Sequence, residues 1–234
     1  LPSVKLHLSN EVDYFETDHV DNTNEHDGRK RLFAHERGNW ATSIFAFVYC
    51  SSHMDTLIDD YIDLMNQMLN SNNDAPTTMW KRVNELHVSV SKTFPVRYHH
   101  IEALRITISE EFKSFEKFSS AISNIDILSN EDGSTSFLVF TLDQCKRYSD
   151  IVKKVDKALV QYRLPVYYEN PCFHTSIAYI AGDKRYLMTN EWKLKCQALL
   201  NEYNCIPSAT TISIEDIRLK AGNRVYHLFD DKRT

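Results

Sequence analysis

The 234-residue chain has no run of eighteen apolar residues, so no segment of it reads as a transmembrane helix. Its five cysteines, Cys50, Cys145, Cys172, Cys196 and Cys205, are scattered and form no CxxC pair. That spacing argues against a zinc site and for free thiols in a reducing compartment. No cluster of carboxylates is spaced to hold Mg²⁺. Positive charge is short as well: the formal net charge is −5 and the pI about 6.1. A surface that grips long duplexes by counterion release is therefore not expected, whereas a narrow basic groove for a few nucleotides is compatible with these figures. Seven carboxylates and no Lys or Arg lie between Glu11 and Asp27. Such a stretch reads as a solvated arm, so 1–28 is expected to be disordered and 29–234 to fold.

What is present is a pair of matching segments, Leu86-His87-Val88-Ser89-Val90 and Phe173-His174-Thr175-Ser176-Ile177. Each reads apolar-His-x-Ser-apolar. Residues i and i+2 of a strand share a face, so each segment sets an imidazole beside a hydroxyl. With ten histidines in the chain, one or two such tripeptides are expected by chance, and a third, His7-Leu8-Ser9, precedes the acidic arm and is discounted. Alternation by itself reports only a half-buried strand. The weight of the pair has to come from context.

That context is a repeated order of elements. Trp40–Tyr49 reads as a strand, and a helix over 53–70, capped by Ser51 or Ser52, follows with Leu57, Ile58, Tyr61, Met65 and Leu69 at helical spacing. Asn70–Pro76 reads as a loop, and Leu86–Ser91 as the first His strand. A helix over 98–112 is followed by strands 119–128 and 135–142 across the Asp132-Gly133 turn. A helix over 144–162 leads to the second His strand, then a helix over 190–203 and strands 210–219 and 224–229. Each half thus holds one His strand, a following helix and a strand pair. The expected fold is α+β: two pseudo-symmetric lobes, each an antiparallel sheet with helices, around a central cleft where a ligand would sit.

With these elements in place, the chain resembles the 2H phosphodiesterase superfamily and, within it, the U6 snRNA phosphodiesterases of the Usb/Mpn family. The resemblance rests on His35-Glu36-Arg37-Gly38-Asn39-Trp40-Ala41-Thr42, Arg97-Tyr98-His99-His100, Tyr168-Glu169-Asn170-Pro171-Cys172-Phe173-His174 and Lys220-Ala221-Gly222-Asn223. It covers about 29–230 and is weakest at 72–78 and 119–136, where the divergence is of the kind expected in a fungal member. It implies a metal-independent 3′-to-5′ exoribonuclease, without cofactor, that trims the oligouridine tail of U6 snRNA in the nucleus. The products carry a 2′,3′-cyclic phosphate or, after ring opening, a 3′-phosphate. The implied partner is the single-stranded 3′ end of RNA, handled by a monomer with no membrane contact. A chain that begins at Leu1 leaves open a targeting segment upstream.

Imidazole titrates near ~6.5, so one histidine can take the proton of a ribose 2′-OH while the other gives one to the leaving 5′-oxygen. Ser89 and Ser176 can donate to the non-bridging phosphate oxygens. By analogy with the family, His174 is the base and His87 the acid; the tripeptides themselves do not tell the two apart. Tyr168 resembles the family's base-stacking tyrosine, against the alternative of an apolar edge residue. Asn170, Lys220 and Asn223 either line the pocket or shape turns. Lys81, Arg82, Lys92 and Arg97 either guide the RNA backbone or are solvated charges, and His99-His100 is either a family feature or a helix cap. Cys172, two residues before His174, could face the same pocket as a nucleophile or be a small apolar residue. The competing functions are a 2′,3′-cyclic nucleotide phosphodiesterase or RNA end-healing enzyme of the same fold, and a non-catalytic RNA-binding module.

Overall fold

The computed structural model describes residues 38–71, 78–130, 132–143 and 146–229. The acidic arm, His7-Leu8-Ser9, His35-Glu36-Arg37, Cys145 and most of the loop expected over 70–76 lie outside the described residues. The elements run β1 Asn39–Tyr49, α1 Ser52–Ser71, β2 Lys81–Arg82, β3 His87–Ser89, β4 Phe94–Arg97, α2 Tyr98–Glu111, β5 Phe118–Ser129 and β6 Thr135–Leu142. They continue with α3 Lys146–Gln161, β7 His174–Ala181, a 3-10 turn Arg185–Leu187, α4 Asn190–Tyr203, α5 Pro207–Thr210, β8 Thr211–Ala221 and β9 Arg224–His227. The short elements β2, β4, α5 and the 3-10 turn are too brief to carry a periodic signal. Among the described residues no helix is long and apolar enough to cross a membrane.

The helices form where the apolar spacing demands. In α1 the Ser51 hydroxyl accepts from the Met54 amide at 3.1 Å, which settles the choice of cap. Its Leu57, Ile58, Tyr61, Met65 and Leu69 are buried. Helix α1 packs on α4, with Tyr61 donating to the Cys196 carbonyl at 2.9 Å. Helices α2 and α3 pair separately, burying Ile101, Leu104 and Ile108 on the one and Ile151, Val155 and Leu159 on the other.

The strands are antiparallel, and their neighbours close on themselves: β1–β3–β7–β6–β5–β8–β1. One lobe holds β4, β1, β3, β8 and β9, the other β2, β7, β6 and β5. This differs from lobes made of consecutive halves. Strand β1 has two edges to satisfy: β3 and β4 take one and the C-terminal β8 takes the other. Hairpin β5–β6 correspondingly joins β7. The two lobes therefore exchange their strand pairs, and each keeps one His strand at the seam. There β3 meets β7 at a single pair, Val88↔Thr175.

The regular part of the first His strand is shorter than expected, three residues, but its flanks stay bonded to β1. Leu86 accepts from Val48 N, and Val90 and Ser91 both donate to Ile44 O. Two bulges then set the phase of the site. In β8 the register shifts against β1 at Phe47/Val48, so Ile212 and Ile214 face the core before the shift and Ile217, Leu219 and Ala221 after it. That turns Asp216, Arg218 and Lys220 to the opposite face. In β7 a shift against β6 falls just after Ser176.

The β8–β9 hairpin turns on Gly222-Asn223, with Gly222 at φ +57°. A Cβ there would meet Trp40 Cε3 at 2.7 Å. Gly222→Ala is expected to destabilise the fold by about 1–3 kcal/mol, since the left-handed backbone and the indole contact both oppose a side chain. A thermal midpoint equal to that of the wild type would show that the turn relaxes freely.

Candidate active site

The Val88↔Thr175 pair fixes the geometry. Across an antiparallel pair the next residues on the opposite face meet in reverse order, so His87 falls opposite Ser176 and Ser89 opposite His174. Val88 and Thr175 are buried on the core face, and the four site residues are half-exposed on the other. Each imidazole therefore faces the hydroxyl of the other strand, and the four groups form one quartet across the seam between the lobes.

Both imidazoles are held alike. His87 Nδ1 lies 3.3 Å from the Glu85 carbonyl and His174 Nδ1 lies 2.8 Å from the Cys172 carbonyl. A carbonyl only accepts, so Nδ1 carries the proton in each ring and Nε2 is the nitrogen left to exchange one. The His87 ring rests on Phe45 with centroids 5.0 Å apart. Burial pulls the His87 imidazole below its ordinary value; the hydrogen bond to Glu85 opposes this, while the positive charge of Lys220 and the neighbouring His174 imidazole reinforce it. The folded chain thus binds this proton more weakly than the unfolded chain does. The contribution to stability is full above the ordinary imidazole value near ~6.5 and is lost as the pH falls through the lowered one. The Ser89 and Ser176 hydroxyls make no hydrogen bond among the described residues.

The other expected site residues are placed as follows. Tyr168 is 54 % exposed in the loop before β7, with Lys92 Nζ 4.6 Å from its ring centroid. The loop is tied to the site by its neighbour: Tyr167 donates to the Ser89 carbonyl at 2.9 Å, and burial, Tyr168 and Cys172 push its phenol up to about 12, so it stays a donor. Asn170 is exposed in that loop and makes no hydrogen bond among the described residues. Lys220 is exposed on β8, opposite Ser43 and on the face of the quartet. Asn223 occupies the hairpin turn three residues on.

Of the basic residues flanking the first His strand, Arg82 is engaged in ion pairs with Asp55 and Asp59 of α1, Lys92 sits on Tyr168, and Lys81 lies in β2 against Tyr179. Arg97 is exposed just before α2, where His99 and His100 lie in its first turn, 4.0 Å apart between ring centroids. Cys172 lies outside the strand and serves His174 through its backbone oxygen.

Sequence reasoning missed the two carbonyls that set the tautomers, the Tyr167 anchor, Phe45 beneath His87, and the Asp216–Arg218 pair. A signal existed for the last: Asp216, Arg218 and Lys220 alternate with Ile217 and Leu219, the period-two pattern of a strand with one polar face.

A two-lobed α+β fold in which paired His-x-Ser strands meet antiparallel at the seam defines the 2H phosphodiesterases. The comparisons narrow this further. The model of the HVSL family, described as an uncharacterised conserved protein, matches residues 1–229. U6 snRNA phosphodiesterase 1 of Danio rerio is 30% identical over 210 residues, covering 88% of this chain and 72% of the relative. The Xenopus laevis protein of that name is 27% identical over 208 residues, covering 88% and 80%, and the human one 25% over 210, covering 89% and 76%. The structure of Kluyveromyces marxianus Usb1 superposes with a TM-score of 0.57 at 20% identity, over 80% of this chain and 96% of that one; its complex with uridine monophosphate gives 0.56 at 19%, over 80% and 97%. The chain belongs to the HVSL family and, within it, to the U6 snRNA phosphodiesterase 1 family.

Proposed function

We propose that this chain is a 3′-to-5′ exoribonuclease that shortens the oligouridine tail of U6 snRNA in the nucleus, as a monomer and without a metal ion. The observation that supports the reading is the antiparallel register at Val88↔Thr175, which puts His87 opposite Ser176 and Ser89 opposite His174 on one face.

The reaction follows from those groups. His174 Nε2 takes the proton of the penultimate ribose 2′-OH, and the 2′-oxygen forms a bond to the adjacent phosphorus. The bond from phosphorus to the terminal nucleotide's 5′-oxygen breaks, and His87 Nε2–H donates to that oxygen. Ser89 and Ser176 donate to the non-bridging oxygens where charge gathers. A 2′,3′-cyclic phosphate remains, and water admitted through the reverse proton transfers opens it to a 3′-phosphate. The assignment of base and acid follows the family resemblance. The electrostatics of the free chain favour a neutral His87, so its acid role needs the substrate's negative phosphate nearby to restore the proton. Tyr168 stacks the terminal base, a contact worth ~1–3 kcal/mol in such sites, with Lys92 on the ring and Lys220, Asn170 and Asn223 at the rim.

The pH dependence tests this arrangement. The profile of kcat/KM is expected to be bell-shaped, with one limb reporting His87 in the free chain. Because the Lys220 charge helps to hold that value down, Lys220→Met is expected to move the limb to higher pH. A limb that stays in place or moves down would remove Lys220 from the site. The reading as a whole is tested with an oligouridine bearing free 3′ hydroxyls in EDTA. Stepwise shortening supports it; an inert oligomer beside an opened 2′,3′-cyclic phosphate would make the chain a cyclic phosphodiesterase of the same fold.

A further inference from the structure

The face that carries the quartet does not end at β3. Strand β1 pairs Phe45 with Ser89 and Phe47 with His87, and β8 pairs Arg218 with Phe45 and Asp216 with Phe47. His227 of β9 pairs with Arg218. Neighbouring strands lie ~4.8 Å apart, so β8 runs on the order of 10 Å from β3 on the same surface. The contacts agree with the register. The Arg218 guanidinium carbon stands 3.5 Å from the Phe47 ring centroid, and Arg218 Nε donates to Asp216 Oδ2 at 2.7 Å. His227 Nδ1 donates to the same oxygen at 2.7 Å.

Arg218 is therefore held at three points: a ring beneath it, a carboxylate on Nε, and a β8 backbone set in phase by the bulge. Its side chain is 15 % exposed and that of Asp216 9 %. Among the described residues Nη1 and Nη2 have no protein partner, which leaves two donors of a fixed fork in a largely desolvated position. A buried ion pair is a poor source of net stability, so packing alone is a weak reason for Asp216 and Arg218 to be there. A planar fork matches the two free oxygens of a phosphodiester. Direction follows from the proposed reaction. The scissile bond is the last phosphodiester of the RNA, so every other phosphodiester lies on its 5′ side, and β8 offers Arg218 to one of these on the face of the quartet.

We propose that Arg218, positioned by Asp216, His227 and Phe47, binds a phosphodiester of the RNA on the 5′ side of the scissile bond. The subsite gives the enzyme its grip on a chain longer than a dinucleotide, and it rests on the reading that the quartet cleaves RNA.

The test is binding of 2′-deoxyuridine oligomers, which lack the nucleophile and stay intact, to the full chain by fluorescence anisotropy over a range of salt. The wild type is expected to bind a four-nucleotide oligomer more tightly than a dinucleotide. Arg218→Gln is expected to weaken the tetramer about tenfold, the size of one charged hydrogen bond, and to reduce the slope of log K against log salt by about 0.7, the share of one single-strand phosphate. Arg218→Lys and Phe47→Leu keep the charge and should weaken the tetramer while retaining the slope, which a misfolded variant would not do. If Arg218→Lys and Phe47→Leu both bind the tetramer as the wild type does, or if the wild type gains nothing from the longer oligomer, the subsite is wrong. Cleavage of the matching RNA by the wild type is followed in parallel. Its absence counts against the quartet, whereas intact cleavage with an unchanged binding slope in Arg218→Gln counts against Arg218.

Discussion

Replacing His174 with alanine is expected to slow tail trimming by ~10²–10⁴-fold while leaving the fold intact. The imidazole is half-exposed and its one hydrogen bond runs to the Cys172 carbonyl, so its loss removes the proton acceptor without opening the core. His87→Ala should lose a similar factor and also some stability, because that ring packs on Phe45. The double variant should resemble the worse single variant rather than the product of the two, since groups that act in one step are not additive. Single-turnover rates alongside thermal melts separate the two effects. A His174→Ala rate within twofold of the wild type would take that residue out of the chemistry.

A still larger effect is expected from the substrate. An oligouridine with one 2′-deoxy sugar at the penultimate position should not be shortened at all, because the attacking oxygen is missing. The same oligomer with the 2′-deoxy sugar at the 3′ terminus should lose that terminal residue normally, as a nucleoside with a 5′ hydroxyl, because its 2′ position takes no part in the first step. Only the 2′-OH next to the scissile phosphate matters in this account, which also predicts that DNA is bound without being cut. Release of the terminal nucleotide from the penultimate-deoxy oligomer at a rate comparable to RNA would mean that water, not the ribose, attacks phosphorus.

Much of this could be read in the sequence because the relevant signals are local. Helices α1, α2, α3 and α4 show in their three-to-four spacing, and α4 begins and ends at 190 and 203 as the pattern requires. The i, i+2 relation puts His87 beside Ser89 and His174 beside Ser176 whatever the rest of the chain does. Strand pairing is not local in this way. Nothing within β1 says that residues 170 positions later will take its second edge, and so the exchange of strand pairs between lobes was not legible. Nor was the cross-strand order of the quartet, which depends on the single pair Val88↔Thr175. The bulge that turns Asp216, Arg218 and Lys220 to the face of the quartet likewise arises only when β8 is laid against β1. The orienting carbonyls of Glu85 and Cys172 carry no side-chain signature at all.

The same comparison explains why individual candidates fared differently. Arg82 looks like the other basic residues of its segment until α1 presents Asp55 and Asp59 to it. Tyr168 looks like any exposed aromatic until Tyr167 is seen bonded to Ser89 and Lys92 over the ring. Local pattern supplies the chemistry of a residue, and tertiary pairing decides whether that chemistry is already engaged.

The central claim is that a ribose 2′-oxygen, moved by two imidazoles, displaces the terminal nucleotide. Mass spectrometry of the products of an oligouridine-tailed RNA incubated in EDTA reads polarity, step size and end group together. The account predicts a ladder shortened one nucleotide at a time from the 3′ end, each product carrying a 2′,3′-cyclic phosphate or a 3′-phosphate. Products ending in a free 3′ hydroxyl, or a tail left intact until a metal ion is added, would contradict it.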